Sequence, residues 1–312
     1  MNCQNKNILV LGSNGMLGSM IFDYLLSTNE YRVFGTYRNI GLSEFYGKKV
    51  NEFCFDVLAL NYKENLKVIF NKTSPNYIIN CIGIIKPYCK DEDSVGVYNA
   101  IKINSLFPHE LSKLIKEHTP NTKIIQIATD CVYDGRDGKY NETSPHNPLD
   151  VYGKTKSLGE VNDPSFLNIR CSIIGPELNN KKSLLEWFLN HETESKLTGF
   201  THHQWNGVTT LQFAQFCHEI ISNDKFDSLR KLNSKIHYVI NTPLNKFELL
   251  LLFQKIFETN FNIEAANLPK PDVKRTLNSI YLQNDVRPME EAIFELKKYI
   301  SKSTLFNSLK NE

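Results

Sequence analysis

Short apolar runs alternate with helical patterns along the first half of the chain. The runs are rich in β-branched and aromatic residues, which favour strands, and the segments between them repeat apolar positions at helical spacing. The predicted strands are 8–11, 31–36, 51–55, 77–81 and 123–128, and the predicted helices are 17–26, 62–71 and 100–118. This alternation predicts an α/β fold in which helices cover both faces of a doubly wound parallel sheet.

The pattern changes in the second half of the chain. Glycine, proline, asparagine and aspartate cluster over residues 134–150 and predict one ordered loop, whereas residues 175–207 show no regular pattern. The other predicted elements are a helix beginning near Val151, strands at 166–169 and 236–240, and helices at 210–222 and 246–259. The predicted partition is a main domain over 1–174, to which 207–242 returns, and a smaller, mixed C-terminal lobe made of 175–206 and 243–312.

Composition and charge narrow the class of protein. The 312 residues carry a formal net charge of +2 with scattered basic residues, which argues against a nucleic-acid binder. No apolar run approaches the roughly 18 to 20 residues that cross a bilayer, and the short polar segment before Ile8 does not resemble a leader. Seven cysteines without Cys-x-x-Cys spacing indicate reduced thiols and a cytoplasmic protein.

A glycine loop follows the first predicted strand and opens the first helix. Gly12, Gly15 and Gly18 allow a tight turn, so that backbone N–H groups at the helix N-terminus can face a pyrophosphate. Such a trio alone is a weak signal, but the preceding strand, the following helix and a second strand about twenty residues later strengthen it. The sequence therefore predicts a Rossmann-type dinucleotide site. Its predicted contacts in this loop are Gly12, Asn14, Gly15, Met16 and Leu17.

The end of the second strand indicates which dinucleotide binds. NAD sites usually place an acid there, whereas this chain has Gly35-Thr36-Tyr37-Arg38. The planar fork of Arg38 can pair with a 2′-phosphate, which favours NADPH, with NADH possible; the alternative is a solvated surface arginine. Further predicted contacts are Asp56 and Val57 beside the adenine, and Cys81, Ile82 and Gly83 beneath the nicotinamide. Each of these is also compatible with ordinary turn chemistry.

Tyr152 and Lys156 stand four residues apart and share one face of the predicted helix. A phenol loses its proton near pH 10, and a nearby ammonium is expected to lower that pKa. Tyr152 could then donate a proton to a substrate oxygen as a hydride reaches the adjacent carbon, while Lys156 also holds the nicotinamide ribose. Such a pair is common by chance, and the alternative is an exposed helical turn. Thr129, directly after a buried strand, could polarise the same carbonyl.

These motifs together resemble the extended short-chain dehydrogenase/reductases, and within that group the dTDP-4-dehydrorhamnose reductases. The matching positions are the glycine loop, Asn104 and the segments 129–135, 140–142, 148–150, 152–156 and 170–175. The resemblance implies Thr129, Tyr152 and Lys156 as the catalytic residues, with Asn104 supporting the active-site framework and the cofactor site. The substrate contacts that it implies are Asp130, Cys131, Ser172 and Trp205.

The resemblance also implies an activity, namely NADPH-dependent reduction of the 4-keto group of a nucleotide-activated 6-deoxyhexose. The expected substrate is a dTDP-4-dehydro-6-deoxyhexose or a UDP-2-acetamido-4-keto-6-deoxyhexose, used in surface polysaccharide precursor synthesis. The C-terminal lobe would bind this nucleotide sugar, and a homodimer is possible. Two departures bear on the substrate: Cys131 stands where an aromatic often follows the Thr-Asp pair, and Ile84-Ile85-Lys86-Pro87 follows the fourth strand where the rhamnose enzymes vary.

Two other functions remain open. A sugar-nucleotide epimerase or dehydratase shares the superfamily, but its dehydratases place glutamate after the Thr-Asp pair, where this chain has Cys131. A catalytically silent NADP-binding regulatory subunit, like the partners of methionine adenosyltransferase, also shares the fold; the intact Thr129, Tyr152 and Lys156 argue against it. No metal site is predicted, because the adjacent His202 and His203 point in different directions and lack a third ligand at suitable spacing.

Overall fold

The structure, a computed structural model, describes residues 6–179, 182–192, 194–266, 272–282 and 286–307, so the outer domain bounds predicted at 1 and 312 lie outside the described residues. The strands are β1 (Lys6–Leu11), β2 (Tyr31–Tyr37), β3 (Glu52–Cys54), β4 (Tyr77–Asn80), β5 (Lys123–Thr129), β6 (Phe166–Cys171), β7 (Ile173–Ile174), β8 (Lys196–Phe200), β9 (His203–Trp205), β10 (Val208–Thr209), β11 (Lys235–His237), β12 (Leu244–Asn245), β13 (Asn262–Ala266) and β14 (Val273–Lys274). The α-helices are α1 (Met16–Ser27), α2 (Leu42–Tyr46), α3 (Tyr62–Thr73), α4 (Ser94–Ala100), α5 (Phe107–His118), α6 (Val151–Leu158), α7 (Leu184–Leu189), α8 (Thr210–Ser222), α9 (Phe226–Leu232), α10 (Lys246–Phe257), α11 (Met289–Lys302) and α12 (Thr304–Asn307).

A seven-stranded sheet runs through the molecule in the order β11-β6-β5-β4-β1-β2-β3. Every neighbouring pair in it is parallel. The strand order reverses between β1 and β4, which is the switch point of a doubly wound sheet, where the carboxyl ends of the strands leave a crevice for a ligand. The predicted fold class is therefore confirmed.

The sheet is buried on both faces because its strands are apolar at successive positions. Ile8 and Val10 belong to one hydrophobic cluster, whereas Leu9 and Leu11 belong to a second one. Successive side chains of a strand point to opposite faces, so each face needs its own cover of helices. The first cluster includes residues of α1 and α8, and the second includes residues of α3 and α5.

The helix predicted at 100–118 begins earlier and is interrupted. Asp93 caps α4 by accepting a hydrogen bond from the Val95 N–H, and a π-helical stretch at Ile101–Leu106 separates α4 from α5. The Val95-Gly96-Val97 sequence has low helix propensity, which conceals α4 in the sequence. The strand predicted at 236–240 is shorter than expected, because the chain leaves the sheet after β11 and the Ile240 N–H bonds to the Asn206 carbonyl at 3.2 Å.

Residues 175–207, for which the sequence shows no pattern, contain α7, β8 and β9. β8 pairs with β13, and β9 lies between β12 and β14. Helix α10 packs against α7, β8 and β13. No helix of the described residues is long and apolar enough to cross a membrane.

One late segment, 273–280, joins distant parts of the chain. Tyr140, in the ordered loop 134–150, exchanges backbone hydrogen bonds with this segment: its N–H donates to Thr276 at 3.0 Å and its carbonyl accepts from Asn278 at 2.7 Å. On the other side, the Asn206 amide accepts from the Leu277 N–H at 2.9 Å and donates to its carbonyl at 2.7 Å. The 273–280 segment is therefore held on both sides.

A buried ionic network lies beside this segment. Arg170 of β6 is fully buried and donates through Nε and Nη2 to the two carboxylate oxygens of Glu160, each at 2.7 Å. Its Nη1 donates to the Tyr133 hydroxyl at 2.6 Å. The Arg170 guanidinium also contacts one ring nitrogen of His146 and one of His237. Burial lowers the pKa of both histidines to about 4, so they are neutral near pH 7 and can accept from Arg170.

Candidate active site

The glycine loop is fastened to the neighbouring strand. The Gly12 N–H donates to the Thr36 hydroxyl at 2.9 Å, and the Ser13 N–H donates to the Thr36 carbonyl at 2.8 Å. Gly12 has a φ of +77°, and a Cβ on Gly18 would lie 2.1 Å from the Gly12 carbonyl oxygen. The turn therefore requires glycine at both positions.

This turn leaves the N-terminus of α1 open to an anion. Gly15 is exposed, and a Cβ there would meet only the Gly12 carbonyl oxygen, at 3.4 Å. Within this described helix, no side chain caps Gly15 and the first turn carries no acid. Its orphan N–H groups and positive dipole end therefore suit a diphosphate. The Leu17 side chain is buried in the core, so this residue could offer a ligand only its backbone, whereas Met16 is half-buried.

Other predicted cofactor residues lie at the same edge of the sheet. Arg38 directly follows β2, and its side chain is exposed. Asp56 follows β3 and accepts from the Leu58 N–H at 2.9 Å, whereas Val57 is buried. Asn14 donates to the Ile40 carbonyl at 3.0 Å, which ties the glycine loop to the chain beyond Arg38. The loops at the carboxyl ends of β1, β2 and β3 thus form one continuous edge of the sheet, here called the rim.

The end of β4 extends this rim toward α6. The Cys81 N–H donates to the Leu11 carbonyl at 3.0 Å. Ile82 closely approaches the glycine loop, since a Cβ on Gly12 would lie 3.1 Å from Ile82 Cγ1. Burial raises the pKa of the Cys81 thiol to about 12, against a lowering by the charge of Lys156.

Asn104 sits in the π-helical stretch and connects this rim to α6. Its amide accepts from the Ile84 N–H at 2.9 Å and donates to the Ile84 carbonyl at 3.0 Å. The same amide donates to the Thr155 hydroxyl at 3.2 Å. A Cβ on Gly83 would lie 3.4 Å from the Asn104 amide oxygen. The Asn104 side chain thus fixes the loop after β4 against α6, the helix that carries Tyr152 and Lys156.

The structure brings Thr129, Tyr152 and Lys156 together at the ends of β5 and α6. Asp150 caps α6 by accepting from the Gly153 N–H at 2.8 Å, which places Tyr152 in the first helical turn. The Thr129 hydroxyl donates to the Asp130 carboxylate at 3.1 Å and accepts from the Cys131 N–H at 3.2 Å, and it lies close enough to Tyr152 to lower the pKa of that phenol. Lys156 is buried, and its ammonium donates to the Ile127 carbonyl at 2.8 Å. The predicted catalytic residues therefore form one group.

The electrostatics of this group differ from the prediction. Burial raises the pKa of Tyr152 above its ordinary value; the nearby Cys131 and Asp130 raise it further, and the hydrogen bond with Thr129 lowers it. Burial also lowers the pKa of Lys156 to about 8. The predicted lowering of the Tyr152 pKa is therefore wrong for this structure, because burial outweighs favourable contacts and the Lys156 ammonium is directed to a backbone carbonyl.

Two of the predicted substrate residues, Trp205 and Asp130, lie near a lysine, Lys246, that was not predicted at the site. The Lys246 ammonium lies 5.3 Å from the ring centroid of buried Trp205, and burial lowers the pKa of Lys246 against a raising by the charge of Asp130. Asp130 is buried and accepts from the Thr129 hydroxyl at 3.1 Å, and Cys131 is half-buried beside it. A Cβ on Gly207 would contact both the Trp205 ring and the Ser172 carbonyl, so these two residues are also neighbours.

Arg275 is a second cation that sequence reasoning did not place here. It belongs to the 273–280 segment, and its charge lowers the pKa of Asp130, which burial raises overall. Among the described residues, Arg275 Nε is buried without a hydrogen-bond partner. His202 and His203 lie next to each other with ring centroids 4.4 Å apart, and no group of three potential metal ligands occurs in the described part of the chain. Arg275 was not predicted at the site because its contacts depend on residues that are distant in the chain.

The chain is similar to known proteins. The family model of the RmlD substrate binding domain matches residues 6–271. The chain belongs to this family. This RmlD-family chain is 29% identical over 154 residues to a dTDP-4-dehydrorhamnose reductase of Aggregatibacter actinomycetemcomitans, an alignment that covers 49% of the chain and 45% of that relative. The chain thus spans less than half the length of that reductase.

Two further similarities cover more of the RmlD-family chain. Methionine adenosyltransferase 2 subunit beta of Bos taurus is 21% identical over 275 residues, which cover 86% of the chain and 75% of that relative. The structure of a dTDP-4-dehydrorhamnose reductase from Bacillus anthracis in complex with NADP superimposes with a TM-score of 0.70 at 15% identity, covering 96% of the chain and 100% of that structure. At this identity the superposition supports the fold.

Proposed function

We propose that this chain is an NADPH-dependent reductase that acts on the 4-keto group of a nucleotide-activated 6-deoxyhexose. The observation that carries the proposal is the group formed by Thr129, Tyr152 and Lys156 at the carboxyl edge of the sheet, beside the open N-terminus of α1. A proton donor next to a dinucleotide cradle suits carbonyl reduction. The substrate is a dTDP- or UDP-linked sugar, and the product is a precursor of surface polysaccharide.

The residues would divide the reaction among them. The bound dinucleotide supplies the hydride that the carbonyl carbon receives. Tyr152 donates its phenolic proton to the carbonyl oxygen, and the Thr129 hydroxyl polarises that oxygen by hydrogen bonding. Lys156 serves the nicotinamide ribose. Because burial favours the neutral phenol, Tyr152 holds its proton until the oxygen gains negative charge, which suits a general acid in the direction of reduction.

The charges around Asp130 support an anionic substrate. Lys246 and Arg275 both act on this buried carboxyl, and Arg275 Nε has no hydrogen-bond partner among the described residues. A diphosphate is the anionic part of a nucleotide sugar, and guanidinium and ammonium groups bind phosphate oxygens strongly.

Incubation with NADPH and a panel of 4-keto sugar nucleotides tests the proposal. We expect NADPH absorbance to fall with one dTDP- or UDP-linked substrate and the matching 4-hydroxy sugar to appear by mass spectrometry. Water loss without net NADPH consumption would identify a dehydratase and contradict reduction. NADPH binding without turnover of any panel member would instead support a regulatory subunit, a candidate that the 86% coverage by the Bos taurus relative specifically favours.

The cofactor preference can be tested at Arg38. Replacing Arg38 with alanine should raise the Michaelis constant for NADPH about ten- to a hundred-fold, because a charge-assisted contact to the 2′-phosphate is lost. The Michaelis constant for NADH should change little, since NADH lacks that phosphate. Arg32→Ala, at an exposed position of β2, is the matched control. A wild-type preference for NADH, or equal weakening of both cofactors, would show that Arg38 does not bind the phosphate.

A further inference from the structure

A lysine outside the Tyr152–Lys156 pair reaches the same tyrosine. Lys86 begins a short 3-10 turn, Lys86–Tyr88, in the loop after β4. Its ammonium pairs with Asp150 at 2.7 Å and lies 6.0 Å from the centroid of the Tyr152 ring. Lys86 comes from the segment in which the sequence departs from the rhamnose reductases, and the proposed mechanism does not use it.

The loop that carries Lys86 also holds the start of α6. The Asp91 carboxylate accepts from the Val151 N–H at 2.9 Å, the first amide of that helix. Asp150, the partner of Lys86, accepts from the Gly153 N–H at 2.8 Å. Two amides in the first turn of α6, which presents Tyr152, thus have hydrogen-bond acceptors. One acceptor, Asp91, belongs to this loop, and the charge of the other, Asp150, is neutralised by Lys86. Asn104 fixes the base of the same loop through Ile84.

The charges facing Tyr152 show why another cation matters. Asp130 and Cys131 after β5 and Cys171 in β6 all disfavour a phenolate there, as does burial. Lys156 of the same helix donates to the Ile127 carbonyl. The positive charge of Lys86 acts on this neighbourhood, since it lowers the pKa of Asp130 and Cys131 against the raising by burial.

We propose that Lys86 is a positioning residue for the reduction, which holds the first turn of α6 through Asp150 and presents a positive charge to the Tyr152 ring as the phenol loses its proton. In that step the O–H bond of Tyr152 breaks and an O–H bond forms on the sugar C4 oxygen, while C4 gains the hydride from NADPH. The remaining phenolate is reprotonated from solvent. A cation near an aromatic ring is attracted to it, and more strongly once the ring is anionic. This inference rests on the proposed function.

Lys86→Met, Lys86→Arg and the control Lys90→Met test the proposal. Lys90 is an exposed lysine of the same loop. Each variant is prepared with ¹³Cζ-labelled tyrosine and bound to NADPH, the resonance absent from Tyr152→Phe is assigned to Tyr152, and its chemical shift is measured near pH 7. We expect Lys86→Met to shift this resonance upfield, away from the position of a phenolate, and to lower kcat up to about tenfold, with a smaller change in KM. Lys86→Arg should restore both values, and Lys90→Met should match the wild type.

An unchanged Tyr152 resonance in a folded Lys86→Met would overturn the proposal, as would a loss of kcat that Lys86→Arg does not recover. Thermal unfolding of each variant separates these results from misfolding. The resonance is measured without substrate, so a wild-type protein that reduces no sugar would refute the proposed function while the role of Lys86 toward Tyr152 is still measured.

Discussion

Tyr152→Phe should lower the turnover of the sugar nucleotide that the substrate panel identifies by about two to four orders of magnitude, the usual effect of losing a general acid. The variant keeps the ring and its packing but removes the proton that the C4 oxygen requires. NADPH affinity should survive, because the glycine loop and Lys156 are unchanged. Single-turnover kinetics with NADPH fluorescence measure both quantities in one experiment. Near wild-type turnover in Tyr152→Phe would refute the mechanism, whatever the substrate.

Companion variants distinguish the roles of the other two residues. Thr129→Val should slow turnover with little change in NADPH affinity, because in the proposed mechanism its hydroxyl polarises the substrate carbonyl and does not bind the cofactor. Lys156→Met should weaken NADPH binding as well, because in the proposed mechanism its ammonium binds the nicotinamide ribose. Tyr98→Phe, at an exposed position of α4, controls for a general effect of losing a phenol.

Glu160→Leu should lower the free energy of unfolding by about 3 to 5 kcal/mol, because it leaves the buried Arg170 without its counterion. The two side chains are 2% and 1% exposed, so water cannot replace the lost carboxylate. The ion pair also stabilises the charged form of Glu160. Burial alone would raise the pKa of Glu160, but its contacts with Arg170 lower that pKa below the ordinary value. Chemical denaturation followed by circular dichroism measures the change.

Glu264→Leu is the matched control for this substitution. Glu264 pairs with Lys196 at 4.0 Å, with side chains 63% and 78% exposed, and such pairs contribute about 0 to 1 kcal/mol. A Glu160 variant that unfolds at the same denaturant concentration as the Glu264 variant would show that the buried pair adds no stability.

The sequence predicted those parts of the fold whose signals lie within a few neighbouring residues. The predicted helix 210–222 has the bounds of α8, because Thr209 and Gln212 form a capping box at its start. The glycine loop likewise lies within a few residues of the strand and helix that it joins. Helix α4 was missed, since Gly96 and its valine neighbours have low intrinsic propensity and the helix depends on the cap by Asp93 and on packing.

The site residues were likewise predictable only where their signal is local in the sequence. Tyr152 and Lys156 are set by helical spacing, and Thr129 by its place at the end of a strand. Lys86, Lys246 and Arg275 were not, because each reaches the site from a separate part of the chain. The pKa of Tyr152 could not be read from its nearest lysine either, since burial is a property of the whole fold.

The 273–280 segment is expected to make the folding of this chain more cooperative than the end of its family match indicates. The family match ends at residue 271, yet the segment beyond it binds the Asn206 amide and, through Ser279 and Ile280, the Glu142 carboxylate. Glu142 in turn accepts from the His237 N–H of β11, at the edge of the main sheet. Opening the segment would therefore strip hydrogen bonds from the ordered loop, the sheet edge and β9 at once. We therefore expect the main sheet and the C-terminal lobe to unfold in a single transition rather than two.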